Sequence, residues 1–305
     1  MVDASADAFA LVGNEHRAAI LRALLAAHAD DEAPYPTPFA VLRERAGVDV
    51  SAQFAYHLDE LVGSMVARTG DGYRLRYAGW KAAAALAAGT YVTQPAFGPT
   101  GVDGACPHCD ASALHASYGD AWLTVACHGC ERVLARYPFP PGAAAARLEN
   151  AGVEGLLDAF DRRVRSHFAL AVDGVCPECA GRTTRSLATA ERPDSTDTRG
   201  DGHPLEAIAD CEQCGNHLTL PVGCVLLGAP AVLARAAVTD VGRLNRPFWQ
   251  VPELVDDAHV TRTGDGPLEA TVSIPAGDGD EGSDPGRALA VTVTADLDVR
   301  VPDGV

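Results

Sequence analysis

Lysine is almost missing from the sequence: of 24 basic residues, Lys81 is the one lysine and the other 23 are arginines. Acidic residues number 41, which gives a formal net charge of -17 and a pI near 4.9. This balance argues against a protein that binds polyanions through a general excess of positive charge. It is compatible with a local DNA-binding face, and the arginine bias favours a GC-rich organism with a salt-loaded cytoplasm.

Long hydrophobic runs and an export signal are also missing. The longest apolar stretch, residues 218–234, is interrupted by two prolines and two glycines and is shorter than the roughly 20 residues of a spanning helix. Residues 1–9 carry Asp3 and Asp7 where a signal peptide would be positively charged. We therefore expect a cytoplasmic protein with no membrane partner, and a buried strand, turn and helix over residues 218–234.

The length of 305 residues predicts two or three domains, and the patterns below predict an α+β fold. The expected boundaries are 1–92, 93–230 and 231–305. The first segment carries eight basic and eleven acidic residues, so most of the negative charge lies in the rest of the chain.

Three helices and a hairpin are predicted in residues 1–92. Asn14 can cap the first helix, Thr37 the second, and Gly47 supplies the turn before a third helix that begins near Asp49 or Ser51. The third helix has an apolar stripe at helical spacing, formed by Phe54, Leu58, Leu61 and Val62. A hairpin over residues 65–77, with a Gly-Asp-Gly turn, and a closing helix near Trp80 complete the order of a winged helix-turn-helix.

Short motifs at three places make this segment resemble the ArsR-type transcriptional regulators. They are residues 13–17 followed by Ile20 and Leu21, the Tyr-His-Leu of residues 56–58, and the Gly-Asp-Gly-Tyr of residues 70–73. The resemblance covers about 80 residues. The whole-chain arrangement also resembles regulators of halophilic archaea. The first cysteine of the chain is Cys106, so we do not expect metal sensing at the DNA helix.

The resemblance implies a homodimer that binds double-stranded DNA through the start of the third helix and the wing. The residues placed there are Ser51, Gln53, Tyr56, His57, Arg68 and Arg74. Two alternatives stay open. The side chains of Tyr56 and His57 can instead pack against the wing, and the domain can be a protein-docking module, since Asp59 and Glu60 face outward where phosphates would be repelled.

Eight of the nine cysteines form four Cys-x-x-Cys pairs, which in a cytosolic chain favours metal binding over disulfides. The Val-Asp-Gly-x-Cys-Pro-x-Cys of residues 102–109 recurs at residues 172–179, so the segment contains a repeat. Each copy is followed by a predicted strand pair and a second cysteine pair. Two zinc-ribbon-like units, each holding one zinc ion, are therefore predicted, with these ligands: Cys106, Cys109, Cys127 and Cys130, and Cys176, Cys179, Cys211 and Cys214.

Four thiolates saturate zinc, so we expect structural sites without catalysis, in which His108, His128 and His217 are surplus. Dithiol exchange is the alternative, but it needs a βαβ context that strand hairpins do not supply. Cys224 lies in an apolar run and is expected to be a small buried hydrophobe.

The remaining elements are predicted from periodicity. A helix over residues 143–168, kinked near Gly152, joins the two units, and the polar residues 191–203 form a loop on the second. Another helix is expected over residues 229–241. Alternating apolar residues at 268–274 and 289–297 predict an antiparallel sheet with one polar face. This sheet carries no catalytic motif, so we expect packing or dimerisation there, with a small-ligand pocket as the alternative and no enzyme activity.

These expectations favour a sequence-specific transcriptional regulator with two structural zinc sites. The alternative is an interaction module that docks to a transcription or RNA-processing assembly. The sequence leaves the operator and any small-molecule effector unknown.

Overall fold

The structure is a computed structural model that describes residues 10–91, 93–189, 205–232, 234, 246–263, 268–275 and 289–302. These residues form a mixture of helices and small antiparallel sheets, as expected for an α+β chain. The chain divides into two compact units, one of residues 1–95 with 140–146 and one of residues 96–139 with 147–305.

Within the described residues 13–91, the first unit contains four helices and one hairpin. In chain order they are α1 (Glu15–Ala29), α2 (Phe39–Arg45), α3 (Ser51–Leu61), β1 (Val66–Arg68), β2 (Tyr73–Leu75) and α4 (Tyr77–Ala87). The predicted cap of α1 is confirmed, because the side chain of Asn14 accepts hydrogen bonds from the amides of His16 and Arg17 at 3.1 and 3.2 Å. Gly47 has a φ of +66°, which fits the turn expected after α2.

The apolar stripe predicted on α3 lies in the core of this unit. Phe54, Leu58 and Leu61 are buried and Val62 packs at the edge of the same cluster. The ring of Phe54 meets Phe39 of α2 edge-on, with ring centroids 5.0 Å apart. Burial of this stripe fixes which face of α3 points outward.

The predicted capping role of Thr37 is wrong. The residue before α2 is Pro38, and no side chain caps this helix. Thr37 instead exchanges two backbone hydrogen bonds with Tyr73, at 2.8 and 2.9 Å, so its backbone extends the hairpin. Gly72 packs so closely against this backbone that a Cβ atom there would collide with Thr37.

The second unit begins with a four-stranded antiparallel sheet. Its strands, in order across the sheet, are β3 (Phe97–Gly101), β4 (Leu114–Gly119), β5 (Trp122–Cys127) and β6 (Val133–Pro138). Helix α5 (Pro141–Val172) follows; its residues up to 146 belong to the first unit and the rest to the second. Gly152 within it has a non-helical φ of 65°, in agreement with the predicted kink. A three-stranded sheet comes next, formed by β7 (Thr183–Thr189), β8 (Leu205–Cys211) and β9 (His217–Pro221).

The rest of the described chain is a series of short helices and a second four-stranded antiparallel sheet. The helices are three 3-10 segments (Val222–Gly228, Phe248–Gln250 and Asp257–His259) and α6 (Pro252–Val255). The strands, in order across the sheet, are β10 (Val260–Thr263), β11 (Glu269–Ile274), β12 (Leu289–Val293) and β13 (Val299–Arg300). The expected antiparallel sheet is therefore confirmed, with two more strands than predicted.

The end of one predicted strand in this region is wrong, and two predicted segments lie largely or wholly outside the described residues. The second predicted strand ends at Val293 rather than Leu297, because Leu297 has a positive φ of 63° in the connection to β13. Most of the helix expected over residues 229–241, and the whole polar tract of residues 191–203, lie outside the described residues.

An aromatic cluster forms the core of the second unit. Trp249 is 1% exposed and its ring centroid lies 5.7 Å from that of Phe160 on α5 and 5.3 Å from that of Phe248. Of the helices in the described ranges, none has the length and apolar character needed to cross a membrane.

Candidate functional site

Four cysteines of the first repeat come together at one end of the sheet β3–β6. Cys106 and Cys109 precede β4, Cys127 ends β5 and Cys130 precedes β6. The Sγ atoms of Cys106 and Cys130 are 3.7 Å apart, as are those of Cys109 and Cys127, and all four lie within 4.8 Å of one another. These distances exceed the roughly 2.05 Å of a disulfide bond, so the cluster is a set of converging thiols that could hold a metal ion.

In this cluster a backbone amide of the second Cys-x-x-Cys turn donates a hydrogen bond to a cysteine sulfur. The amide of Gly129 donates to Cys127 Sγ at 3.2 Å, and Asp110 follows Cys109 with a left-handed φ of 56°. Burial acts to raise the pKa of Cys127, but the amides of Cys130 and Gly129 outweigh it and leave the pKa at about 7. Cys127 therefore favours the thiolate form that binds metals, whereas burial raises the pKa of Cys106 in the same cluster to about 12.

The second repeat builds the same arrangement on the sheet β7–β9. The Sγ atoms of Cys176 and Cys214 are 3.7 Å apart, those of Cys179 and Cys211 are 3.5 Å apart, and the four lie within 4.8 Å of one another. Gly215 follows Cys214 with a left-handed φ of 71°, which suits a tight turn after the second cysteine pair. The predicted grouping into two sets of four is thus what the structure brings together.

Backbone donors are concentrated on one sulfur of this second cluster. The amides of Cys214 and Gln213 each donate to Cys211 Sγ at 3.4 Å, and they lower the pKa of this thiol to about 6. The amide of Gly181 donates to Cys179 Sγ at 3.3 Å, and Asn216 Nδ2 lies 3.9 Å from Cys176 Sγ.

The histidines near the cysteines have partners of their own. His108 Nδ1 lies 3.3 Å from Asp256 Oδ1, His217 Nδ1 lies 2.6 Å from Asp210 Oδ1, and the ring of His128 stacks on His115 at 3.9 Å. Among the described residues, the two candidate metal groups contain only cysteines.

Cys224 is completely buried and stands apart from both clusters. Its thiol donates to the carbonyl of Leu254 at 3.3 Å, and burial raises its pKa to about 12. This agrees with the expectation of a small buried hydrophobe, because a reactive thiol needs exposure and a lowered pKa.

Sequence reasoning missed how each cluster is tied to the rest of its unit. His108 and Glu178 occupy the same position in the two Cys-Pro-x-Cys motifs, and they contact different elements. His108 contacts Asp256, whereas Glu178 Oε1 lies 3.4 Å from Arg163 Nη2 on α5. The one signal in the sequence is that this position is one of the two that differ between the matching octets.

The residues expected to contact DNA lie on the outward face of α3 and on the hairpin. Ser51, Gln53 and Tyr56 are exposed, and 60% of Tyr56 is accessible to solvent. Arg68 and Arg74 are exposed on β1 and β2, the two strands of the hairpin.

His57 differs from the rest of this set because it is half-buried between two rings. Its ring centroid lies 5.1 Å from those of His16 and Tyr56. Burial lowers its pKa, with a further lowering from His16 and Arg17, and its Nδ1 is buried without a hydrogen-bond partner in the described structure. His16 Nε2 is also 2.8 Å from Gln53 Nε2, so α1 supports the start of α3, a tertiary contact that helical periodicity does not reveal.

Acidic side chains occupy part of this face. Arg68 of the hairpin pairs with Asp59 of α3 at 2.6 Å and lies over the ring of Tyr73. Glu60 lies 3.7 Å from Arg17. The face is therefore of mixed charge, and Arg68 is held by a carboxylate.

Two family models match the chain, and neither carries a described function. A domain of unknown function (DUF7347) matches residues 5–86, and a domain of unknown function (DUF7351) matches residues 103–299. No curated protein and no solved structure matches the sequence. The second model covers both cysteine clusters and well over half of the chain, and on that basis the protein belongs to the family described as domain of unknown function (DUF7351).

Proposed function

We propose that each cysteine cluster holds one zinc ion and that the two sheets that carry them are zinc ribbons. The observation that supports this is the spacing of the sulfurs. A Zn–S bond of about 2.3 Å in a regular tetrahedron requires neighbouring sulfurs about 3.8 Å apart. The paired sulfurs lie at 3.5–3.7 Å. Four thiolates leave no open coordination position, so the ions stabilise the fold and do no catalysis.

We infer that the first unit is an ArsR-like winged helix-turn-helix that binds double-stranded DNA. The observation that carries this inference is that α3 buries its apolar stripe and exposes Ser51, Gln53 and Tyr56 next to a two-stranded hairpin. A helix of this kind fits the major groove, and the hairpin of such a domain lies along the backbone. The protein is thus proposed to be a cytoplasmic transcriptional regulator without enzymatic activity.

The residues of this face divide by chemistry into two roles. Gln53 and Tyr56 are assigned to base edges, because glutamine amides and tyrosine hydroxyls make hydrogen bonds there. Arg68 and Arg74 are assigned to phosphates, which position a protein without specifying a sequence. A homodimer would place two such faces on half-sites about one helical turn apart.

Selection from genomic DNA tests this proposal. Purified wild-type protein is mixed with sheared DNA at several salt concentrations, and the retained fragments are sequenced. Enrichment of fragments that share a dyad-symmetric site is the expected result. Retention of random fragments at low salt, with no enrichment at any salt, would contradict sequence-specific binding because phosphate contacts alone give that behaviour.

A protein-docking role is the second candidate, and one observation favours it. Asp59 and Glu60 are exposed on the outward face of α3, and Asp59 neutralises the arginine that would meet a phosphate. Recovery of a defined protein complex that depends on Tyr56, together with failure of the DNA selection, would assign the unit to docking.

A further inference from the structure

The two sides of the sheet β3–β6 differ sharply in burial. Along β4 alternate side chains are buried and form the inner side, as the period of a strand requires. Strands β5 and β6 follow the same pattern except near the register shift at Val125 and Ala126, where consecutive residues are buried. The other side, here called the outer face, carries His115 and Ser117 of β4, Trp122 and Thr124 of β5, and Val133 and Arg136 of β6. On this outer face Trp122 is 40% exposed and Val133 is 58% exposed.

Planar groups dominate the outer face. The guanidinium of Arg136 lies over the ring of Trp122, 4.8 Å from its centroid. The rings of His115 and His128 are in contact, with centroids 3.9 Å apart and their planes tilted by 32°. His115 is paired with Ala126, four residues along β5 from Trp122, so the indole–guanidinium pair and the imidazole pair lie about 13 Å apart at about 3.3 Å per residue. That span corresponds to roughly four nucleotides at the about 3.4 Å rise of a stacked strand.

The charge of these strands is unusual for this chain. The sequence has 41 acidic residues, yet β4, β5 and β6 contain none, and their one formal charge is that of Arg136. Asp120 and Glu131 lie in the connections between the strands. The corresponding strand of the second repeat, β8, carries Glu206 and Asp210, so the repeat unit does not by itself demand an acid-free sheet.

We propose that the outer face of this sheet binds single-stranded nucleic acid. Bases stack on indole rings and on guanidinium planes without regard to sequence, and a cation beside the ring attracts the phosphates. A sheet that presents an indole under a guanidinium and a pair of imidazoles, on strands β4–β6 that carry no carboxylate, has this chemistry. The site is separate from the helix α3 and does not depend on the binding of duplex DNA.

Fluorescence anisotropy with the full-length, metal-loaded protein tests this inference. The probes are labelled dT and rU oligonucleotides of about twenty nucleotides, long enough to cover the face. Wild type is expected to bind both in a saturable way, and Trp122→Ala to weaken binding at least about tenfold, the effect of losing one stacked base. Arg136→Gln is expected to weaken binding less and to reduce its dependence on salt.

Trp80→Ala is the matched control. Trp80 is 42% exposed and has a cation, Lys81, 5.8 Å from its ring, but it lies on helix α4 in the other unit. This variant should bind like wild type, and all variants should keep their metal content and melting temperature.

Three results would overturn the inference. They are the absence of saturable binding by wild type, equal losses in Trp122→Ala and Trp80→Ala, and undiminished binding by Trp122→Ala. If the face instead binds a labelled oligoglutamate peptide in a manner that depends on Trp122, and binds no oligonucleotide, its partner is an acidic protein segment and the inference is wrong.

Discussion

Replacement of Cys106 by serine should remove one of the two proposed zinc ions and unfold the sheet whose cysteines would hold it. Cys106 is fully buried, and its sulfur faces that of Cys130 at 3.7 Å. A serine hydroxyl stays protonated at neutral pH and does not replace a thiolate ligand. Structural zinc contributes about 10–16 kcal/mol in isolated zinc-binding peptides, and whole domains are stable by only about 5–15 kcal/mol. The free energy lost with the ion is therefore larger than the stability of the sheet, and we expect the sheet to unfold.

The assay is elemental analysis of protein purified without chelator, together with native mass spectrometry and thermal unfolding. Wild type should contain two zinc ions per chain and Cys106→Ser one. Cys224→Ser is the matched control, because it makes the same chemical change at a buried cysteine whose thiol donates to the carbonyl of Leu254 and not to a cluster. It should keep both ions.

Three results would refute this reasoning. If Cys106→Ser keeps two ions, Cys106 is not a ligand. If it loses both, the two clusters do not bind metal independently. If Cys224→Ser also loses an ion, metal content reports general unfolding and not ligand removal.

Three further predictions concern the hairpin, the core and the polar tract. Asp59→Asn should raise affinity for duplex DNA about 1.4- to fivefold in a salt titration, because it frees Arg68 from an exposed ion pair worth about 0.2–1 kcal/mol; an equal rise in Glu60→Gln would show a general charge effect instead. Phe54→Ala should lower the free energy of unfolding by about 3–5 kcal/mol in urea, because its buried ring leaves a cavity; a loss under 1 kcal/mol would contradict the assigned core. Replacing residues 191–203 by a short turn should leave zinc content and melting temperature nearly unchanged, because the tract holds no cysteine, and a large fall in either would show that it is needed.

The features that the sequence predicts best are those set by local spacing. Four Cys-x-x-Cys pairs indicate which thiols converge, and the i, i+4, i+7 stripe from Phe54 to Leu61 indicates which side of α3 is buried. The kink at Gly152 was predictable for the same reason, since a glycine interrupts a helical pattern.

The features that the sequence could not predict depend on distant partners. Threonine is a residue type that often caps helices, so Thr37 was expected to cap α2. Its backbone instead forms hydrogen bonds with Tyr73 of the hairpin, which lies far along the chain. Strand β3 contains two glycines and a proline, residues that disfavour a strand in the middle of a sheet. They are tolerated here because β3 is the edge strand of its sheet. The ion pair of Arg68 with Asp59, and the contact of His16 with Gln53, arise from packing between elements, and no local pattern encodes them.

The claim that the outward face of α3 reads DNA is tested most directly by titrating one site with two tyrosine variants. Tyr56 and Tyr77 are both exposed on helices of the first unit, but only Tyr56 lies on α3. On a selected fragment and its scrambled counterpart, Tyr56→Ala should lower affinity for the selected fragment by about 1–3 kcal/mol, or roughly 5- to 150-fold, while Tyr77→Ala binds like wild type. Wild-type binding that does not distinguish the two fragments, or equal behaviour of Tyr56→Ala and wild type, would contradict the account.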